Sequence, residues 1–331
     1  MIAIVGGGAW GTALAQVMAS GEDELLGAGR PVVVTSINAA HENKDFLPGI
    51  RLNPAVRATG NLAELAAADV WLVVVPAQHL RGVLVAAPLA GRPTLVLCAK
   101  GIEAGSLKLM AEVVADVSDA PVAVLSGPTF AAEVARGLPT AVTLAIETGA
   151  IEPGAAGDAA VGDALVQRLA RPAFRPYLSD DITGAEIGGA VKNVLAIACG
   201  VVEGAGLGLN ARAALIARGF AEMTRFGLAR GARAETLAGL SGLGDLVLTC
   251  SSANSRNFTL GLGIGRGERA AELLAATRTV AEGASTAPVL VAAARAAGVE
   301  MPIAEAVAAL IAGAPLRETV AALLARPLKA E

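Results

Sequence analysis

The first residues of the chain have the spacing of a phosphate-binding turn. Gly6, Gly8 and Gly11 form the pattern GxGxxG directly after the apolar run Ile2 to Val5, and an alanine-rich helical segment follows. In such a turn the first glycine permits the tight bend, the second admits a pyrophosphate, and the third allows close helix–sheet packing. The N–H groups at the start of the helix also favour phosphate. The motif therefore predicts a site for a dinucleotide, NAD or NADP.

The residues that choose between NAD and NADP follow the second strand of this kind of fold. An acidic residue there binds the ribose 2′-OH, whereas an arginine accepts a 2′-phosphate. We predict the second strand at Pro31 to Thr35, preceded by an insertion over residues 21–30. This strand ends without an acid or an arginine. Ser36 and Asn38 could serve either cofactor, so the sequence leaves the choice open.

A single lysine stands inside a long apolar segment. Lys192 is the only charged residue between Glu186 and Glu203, and its neighbours are small or apolar. Burial lowers the pKa of a lysine from about 10.4, which suits proton transfer near neutral pH. Such a lysine could protonate the alkoxide that forms when a hydride adds to a ketone. The alternative, which composition leaves open, is a lysine whose ammonium reaches solvent from the edge of the helix.

Composition restricts the class of protein. The chain has 331 residues, enough for two domains, with a net charge of −4, 54% hydrophobic and 3% aromatic residues. This composition is globular, and no basic block or aromatic-interleaved patch indicates a nucleic-acid partner. His41 and His79 are the only histidines, which makes a His-rich metal site hard to assemble. We therefore predict no bound metal.

The cysteines and the apolar stretches indicate a soluble cytoplasmic protein. Cys98, Cys199 and Cys250 are widely spaced without a CxxC pattern, so we predict small core residues in a reducing compartment. The charge-free stretch 1–21 lacks the positive region of a signal peptide, and glycines interrupt its centre. Every later charge-free stretch is shorter than the roughly 20 apolar residues that a membrane span needs.

Short apolar runs alternate with helical segments in the first half of the chain, which predicts a doubly wound, Rossmann-type parallel α/β sheet. The predicted strands are Met1 to Val5, Pro31 to Thr35, Val70 to Val75, Thr94 to Cys98, Val122 to Leu125 and Ala141 to Ile146. Helices are predicted after Asn61, which with Glu64 forms a capping box, and after Ser106 and Pro128. The segment Gly149 to Gly162 is predicted to be a surface connection.

After Pro172 the pattern becomes helical with glycine punctuation, which predicts an all-α second domain. Thr183 and Glu186 form a second possible capping box. The helices predicted beyond it are Ala211 to Arg230, Ala270 to Ala276, Thr286 to Ala297 and Ile303 to Ile311. We place the domain boundary so that residues 1–184 form the dinucleotide-binding domain and residues 185–331 the helical substrate domain.

Several motifs together resemble those of bacterial-type NAD(P)-dependent glycerol-3-phosphate dehydrogenases. Besides the glycine turn, the chain contains, in the family's order, the segments FLPG (46–49), KG (100–101), SGPTFA (126–131), GGAVKN (188–193), GLGDL (242–246), SRN (255–257) and VAEG (280–283). The glycine turn alone would fit many dehydrogenase families, whereas the combination of the later motifs is specific. The resemblance implies a Rossmann domain followed by a helical domain, with the substrate in the cleft between them.

The resemblance also implies roles for individual residues. It makes Lys192 the general acid/base, oriented by Asp245. It assigns substrate contacts to Lys100, Gly127, Thr129, Lys192, Asn193, Asp245, Thr249, Ser255, Arg256 and Asn257. It assigns cofactor contacts to Gly6, Gly8, Ala9, Trp10, Gly11, Lys100, Ala131, Arg256, Val280 and Glu282, although Trp10 could equally be a core residue.

The function that the resemblance implies is the interconversion of dihydroxyacetone phosphate and sn-glycerol 3-phosphate, supplying glycerophospholipid synthesis. The phosphorylated small molecule is the expected partner, and a homodimer is a further possibility. Two alternatives remain: a dehydrogenase of the same build acting on a hydroxy acid or sugar acid, and a Rossmann module that only senses the dinucleotide. The SRN loop argues against the first, and the combination of Lys192 with Asp245 against the second.

Overall fold

The structure is a computed structural model that describes residues 1–146, 158–276 and 281–327. Two compact units divide the chain. Unit 1 comprises Met1–Glu103 and Lys108–Glu186, and unit 2 comprises Ala104–Leu107 and Ile187–Glu331. The boundary drawn from the sequence at residue 184 stays a prediction.

Unit 1 is built on one eight-stranded sheet, with the strand order β3-β2-β1-β4-β5-β6-β7-β8. All neighbouring strands run parallel except β7, which is antiparallel to β6. The strands are β1 (Ile2–Val5), β2 (Leu25–Ala28), β3 (Arg57–Thr59), β4 (Val70–Val73), β5 (Thr94–Leu97), β6 (Val122–Ser126), β7 (Thr140–Ile146) and β8 (Phe174–Ser179). The predicted doubly wound α/β sheet is confirmed.

Helices cover both faces of this sheet. Ile2 and Ile4 belong to one buried apolar cluster, whereas the alternate residues Ala3 and Val5 belong to another. Because successive strand residues point to opposite faces, the sheet separates two cores. The α-helices are α1 (Ala9–Met18), α2 (Pro31–Ala40), α3 (Leu80–Val85), α4 (Met110–Ala115), α5 (Ala131–Ala135) and α6 (Asp158–Leu169), and short 3₁₀ turns occupy Leu62–Leu65, Ala77–His79 and Leu89–Gly91.

The second strand lies earlier in the chain than the sequence predicts. The valine-rich run from Pro31 is helix α2, and β2 occupies the stretch that we interpreted as an insertion. Pro31 stands in the first turn of α2, where its fixed φ suits a helix start. Val33 and Ile37, four residues apart, are the buried residues of α2. This spacing is helical, so the periodicity of burial overrides the β-propensity of the valines.

Other differences from the sequence prediction are local. β3 and β8 were not predicted, and β8 extends the sheet beyond Pro172. Asn61 caps a 3₁₀ turn in place of the predicted helix, with its side chain accepting from the Ala63 N–H. Its own N–H donates to the Thr59 hydroxyl and not to Glu64, so the capping box is not formed. The helix near Thr183 is instead capped by Asp181, whose carboxylate accepts from the Gly184 N–H at 2.7 Å. Of the predicted surface connection Gly149 to Gly162, residues up to 157 lie outside the described residues, and the rest belongs to α6.

The described residues of unit 2 form helices joined by turns, without a strand, as predicted. Its helices are α7 (Ile182–Gly204, which begins in the range of unit 1), α8 (Gly208–Ala229), α9 (Ala234–Ala238), α10 (Asp245–Cys250), α11 (Arg256–Gly265), α12 (Ala270–Ala276), α13 (Glu282–Ala296), α14 (Pro302–Ile311) and α15 (Leu316–Leu324), with a π-helical turn at Leu240–Gly244. The four helices predicted beyond residue 200 correspond to α8, α12, α13 and α14, with ends within four residues of the prediction. Helices α9 to α11 and α15 were not predicted.

Helix α7 is the central helix of unit 2. It is the one described helix that is long and apolar enough to span a membrane, but its most apolar window is 100% buried inside the protein, as in the core helix of a soluble protein. Helix α11 packs on α7 at backbone distance: a Cβ on Gly200 would collide with the carbonyl oxygen of Phe258, and one on Gly261 with that of Ile197. Small residues at these positions therefore allow the two backbones to approach closely.

Candidate active site

The glycine-rich turn between β1 and α1 has the backbone geometry that its motif predicts. Gly6 has a φ of 123°, and a Cβ on it would lie 2.6 Å from the carbonyl oxygen of Val74. A Cβ on Gly11 would collide with the carbonyl oxygen of Gly6. Both positions therefore require glycine. A Cβ on Gly8 would meet nothing within 4 Å, so the turn faces open space there.

The same turn presents backbone donors. Gly8 is the N-cap residue of α1, and no side chain caps this helix end. Among the described residues, no acceptor takes the N–H of Gly8 or Ala9. Unpaired N–H groups beside open space fit the pyrophosphate of a dinucleotide, since the first turn of a helix lacks internal partners for its N–H groups.

The neighbouring candidates for cofactor contact lie on the apolar layer beside the turn. Ala9, Trp10 and Ala131 are half-buried and pack against the cluster that contains Ile2 and Ile4. Cys98, whose pKa is raised by burial to about 12, belongs to the same cluster. Trp10 thus has the core contacts that the sequence left open as an alternative, and its cofactor role stays a proposal.

The carboxyl end of β2 carries an arginine that the sequence interpretation missed. Arg30 follows β2 by two residues, is exposed, and lies with its guanidinium carbon 5.1 Å from the ring centroid of Phe46. Within the described part of the chain it makes no ion pair. Ser36 and Asn38, the candidates proposed for this role, bond instead to the backbone of Glu42 and Ala58. The residue that selects the cofactor follows the end of the second strand. Because we predicted that strand too late in the chain, we did not identify Arg30 as this residue.

Lys100 and Thr129 meet at the carboxyl ends of β5 and β6. The Lys100 ammonium donates to the carbonyl oxygen of Gly127 at 3.2 Å, and the Thr129 hydroxyl donates to the same oxygen at 3.3 Å. Ligands of doubly wound sheets bind at this edge. The turn Gly127 to Thr129 therefore brings a cation and a hydroxyl together where a polar ligand group could be held.

A buried ion pair is the central feature of unit 2. The Lys192 ammonium lies 2.8 Å from Oδ1 of Asp245 and 3.0 Å from the hydroxyl oxygen of Thr249. Its side chain is 8% exposed, and that of Asp245 is fully buried. The Thr249 hydroxyl also lies 3.2 Å from Oδ1 of Asp245. The lysine therefore does not reach solvent from the helix edge; it is held by a carboxylate in an apolar interior.

Local backbone structure sets up this pair. A Cβ on Gly188 would lie 2.5 Å from the carbonyl oxygen of Ser241, so α7 and the π-helical turn are in backbone contact there. Lys192 follows Gly188 by four residues, one helical turn along the same face. Asp245 follows the π-helical turn directly, and such turns are frequent at functional sites. The close approach at Gly188 thus brings the carboxylate to the ammonium.

A second hydrogen-bonded group lies one residue beyond the lysine. The Asn257 amide donates to the side-chain oxygen of Asn193 at 3.0 Å, and its own side-chain oxygen accepts from the Gly283 N–H at 2.9 Å. Ser255 caps α11 by accepting from the Phe258 N–H. Asn257 and Ser255 are buried and thus have structural bonds in addition to the substrate roles that we predicted.

Arg256 and Glu282 stand at two helix starts of unit 2. Arg256 is the first residue of α11 and is exposed, whereas Glu282 is the first residue of α13 and is half-buried. Val280, the remaining cofactor candidate, lies outside the described residues. Among the residues that the structure does describe, no group of three or more His, Cys, Asp or Glu side chains is placed to hold a metal ion.

Comparison with known proteins gives the family. The N-terminal part of the NAD-dependent glycerol-3-phosphate dehydrogenase family matches residues 1–151, and its C-terminal part matches residues 181–321. A protein of Sphingopyxis alaskensis named glycerol-3-phosphate dehydrogenase NAD(P)+ 1 is 60% identical over 331 residues, which cover 99% of this chain and 97% of the relative. The chain belongs to the NAD-dependent glycerol-3-phosphate dehydrogenase family.

A second sequence relative and a solved structure of the family are also similar to this chain. A glycerol-3-phosphate dehydrogenase of Caulobacter vibrioides is 56% identical, over 100% of this chain and 98% of the relative. The crystal structure of glycerol-3-phosphate dehydrogenase from Coxiella burnetii has a TM-score of 0.90 at 37% identity and covers 98% of both chains. The resemblance stated from the motifs is thereby confirmed, including an enzyme of the oxidoreductase class that uses NAD or NADP.

Two features of this family member were not visible in its motifs. The position of Arg30 follows from the true end of β2. Glu222 of α8 is almost fully buried, and its carboxylate accepts from the Ile303 N–H at 2.9 Å at the start of α14. Burial raises the pKa of Glu222 to about 7. A glutamate in an amphipathic helix gives no sequence signal of such burial.

Proposed function

We propose that this chain is an NAD(P)-dependent glycerol-3-phosphate dehydrogenase that interconverts dihydroxyacetone phosphate and sn-glycerol 3-phosphate. The buried Lys192–Asp245 pair carries the proposal, because a purely structural ion pair in this position would be a weak stabiliser. A dinucleotide sensor without turnover has no use for such a pair. Family membership gives the reaction, and this pair gives it a proton donor.

The dinucleotide supplies a hydride when bound, which adds to C2 of the ketone. We assign to the backbone N–H groups of Gly8 and Ala9 the binding of its pyrophosphate. The neighbouring residues Trp10 and Ala131 contribute contacts beside the turn. Gly6 and Gly11 act through the backbone geometry that they permit.

Lys192 moves the proton. In the direction of reduction its Nζ gives a proton to the carbonyl oxygen at C2, as the carbon gains the hydride; oxidation returns that proton to Nζ. Asp245 and Thr249, at 2.8 Å and 3.0 Å, orient the ammonium. General acid catalysis of this kind contributes about 10²- to 10⁴-fold to the rate.

The phosphate and hydroxyl groups of the substrate require donors. We assign the phosphate to Arg256, whose planar guanidinium offers paired N–H donors, and to the neighbouring Asn257. Lys100, with Gly127 and Thr129, serves the polar end of the substrate. Asn193 and Ser255 support this group through the bonds of Asn257 and the cap of α11.

We further propose that NADP(H) is the preferred cofactor of this member. Arg30 stands at the carboxyl end of the second strand, where an arginine accepts a ribose 2′-phosphate and an acid would select the free 2′-OH. The contact with Phe46 limits the freedom of the guanidinium. The three buried thiols suit a reducing cytoplasm, and sn-glycerol 3-phosphate would supply glycerophospholipid synthesis there.

One assay tests this function and the cofactor preference together. Purified protein is given dihydroxyacetone phosphate with NADH or NADPH, and the loss of reduced-nicotinamide absorbance is followed. We expect turnover with both and a higher kcat/KM for NADPH. Turnover of a hydroxy acid instead, unaffected by Arg256→Ala, would overturn the proposal, as would binding of the dinucleotide without turnover of any substrate.

A further inference from the structure

The segment after helix α2 contains an asparagine that bonds to the glycine turn. Asn43 stands three residues before the FLPG motif, and the catalytic and binding proposals give Asn43 no role. Its side chain is fully buried. The side-chain amide donates to the carbonyl oxygen of Gly7 at 2.9 Å and to the Thr12 hydroxyl at 2.7 Å. Its side-chain oxygen accepts from the Phe46 N–H at 3.3 Å.

These bonds reach two carbonyl groups of the turn. Asn43 holds the carbonyl of Gly7 directly. Thr12, which receives one of the two Asn43 hydrogen bonds, donates its own hydroxyl proton to the carbonyl oxygen of Gly8 at 2.8 Å. The Thr12 N–H bonds to the same Gly8 oxygen at 3.0 Å. Both donor positions of the asparagine amide are thus committed to the turn and its helix.

Holding a carbonyl also directs the next N–H. In a planar trans peptide the C=O and the following N–H point in opposite directions. Fixing the Gly7 carbonyl therefore aims the N–H of Gly8 away from Asn43. Fixing the Gly8 carbonyl likewise aims the N–H of Ala9 away from Thr12. Among the described residues these two N–H groups have no acceptor, and the turn is open beside the Cα of Gly8.

We infer that Asn43 is a positioning residue for dinucleotide binding, acting through Gly7 and Thr12 on the donors that receive the pyrophosphate. The inference rests on the proposed function, because it assumes that the turn binds NAD or NADP. Glycine at positions 6 to 8 gives the turn its conformational freedom. Asn43 and Thr12 remove that freedom before the ligand arrives, which lowers the ordering cost of binding.

The test compares variants by the Kd of NADPH, measured by titration of the folded protein without substrate. We expect Asn43→Ala to raise this Kd about tenfold, which corresponds to about 1.4 kcal/mol. Thr12→Val, which removes only the hydroxyl, should raise the Kd less, about threefold. Thr12→Ser should have the wild-type Kd, because serine keeps the hydroxyl donor. The KM for NADPH should follow the Kd, while kcat at saturating NADPH changes less than threefold.

Asn53→Ala is the matched control, since Asn53 also donates to a backbone carbonyl in unit 1, that of Ala19 at the other end of α1. It should leave the Kd within twofold of the wild-type value. An unchanged Kd in folded Asn43→Ala overturns the inference, and so does an equal rise in Asn53→Ala. If Asn43→Ala does not fold, the Thr12→Val and Thr12→Ser pair decides. Failure of the wild-type protein to bind any dinucleotide would instead refute the proposed function.

Discussion

Replacing Lys192 with methionine separates the two consequences of the buried ion pair. Methionine fills about the same space as the aliphatic part of lysine but carries no proton. In the variant the Asp245 carboxylate keeps the Thr249 hydroxyl, at 3.2 Å, but loses the ammonium at 2.8 Å. The variant therefore removes the proposed proton donor and also takes the ammonium away from a fully buried carboxylate.

Both effects have typical magnitudes for a general acid and for a buried ion pair. Loss of the general acid is expected to lower kcat about 10²- to 10⁴-fold, which is about 3 to 5 kcal/mol in the activation barrier. Removing one partner of a buried pair typically destabilises the folded state by about 3 to 5 kcal/mol. The double variant Lys192→Met/Asp245→Asn also removes the buried negative charge. It should recover most of that stability and none of the activity.

The assay combines kinetics with unfolding. Reduced-nicotinamide absorbance gives kcat for dihydroxyacetone phosphate, and urea unfolding followed by circular dichroism gives the free energy of unfolding. Titration with NADPH serves as a folding control, since the glycine turn belongs to unit 1 and Lys192 to unit 2. We expect near wild-type NADPH affinity in both variants.

Each of these expected results has an outcome that would refute it. A folded Lys192→Met protein with kcat within threefold of wild type would mean that another group delivers the proton. Recovery of activity in the double variant would mean that the single variant was inactive through instability alone. A single variant as stable as wild type would show that the carboxylate is not buried as the structure has it.

Three further predictions concern other parts of the chain. Arg30→Ser should lower kcat/KM for NADPH about tenfold or more, through loss of a charge-assisted phosphate contact, and leave NADH almost unaffected; equal losses with both cofactors would contradict the 2′-phosphate role. Glu222→Gln should become more stable relative to wild type as pH rises. The raised pKa of Glu222, about 7 against 4.5, means that its stabilising contribution is complete below pH 4.5 and lost by pH 7. At about 1.4 kcal/mol per pH unit, the loss in the free energy of unfolding of the wild type is about 3 kcal/mol. Urea unfolding of both proteins at pH 5 and pH 8 measures it, and a difference between them that does not change with pH would contradict the prediction. Gly188→Ala should destabilise the folded state by about 1 to 3 kcal/mol and lower kcat, because its Cβ would lie 2.5 Å from the Ser241 carbonyl oxygen; wild-type stability would exclude that close contact.

The sequence by itself determined the features whose cause is local. Glycines at positions 6, 8 and 11 after an apolar strand specify the tight turn, because only glycine tolerates the φ of Gly6 and the close contact at Gly11. The longer helices of unit 2 were predicted within a few residues, since their apolar periodicity and glycine stops act over a single segment. The central sheet strands were predicted for the same reason, as continuous apolar runs.

Elements that depend on partners elsewhere were predicted less well. Valines at 32–34 favour a strand locally, but packing of Val33 and Ile37 on the core makes them helical. The short strand Leu25–Ala28 has little pattern of its own and is stabilised by pairing with β1 and β3. We therefore predicted the second strand too late in the chain and did not identify Arg30 as the residue that follows it.

Tertiary structure alone decided which side chains meet. Lys192 and Asp245 are 53 residues apart, and Asn43 reaches Thr12 across 31 residues. Composition left open a lysine that reaches solvent, and only the resemblance to the family implied that Asp245 orients Lys192. The physical reason is that hydrogen bonds and ion pairs are formed over about 3 Å, whereas the sequence constrains distances only between residues a few positions apart. Packing of α7 against the π-helical turn and of residue 43 beneath the glycine turn supplies that precision.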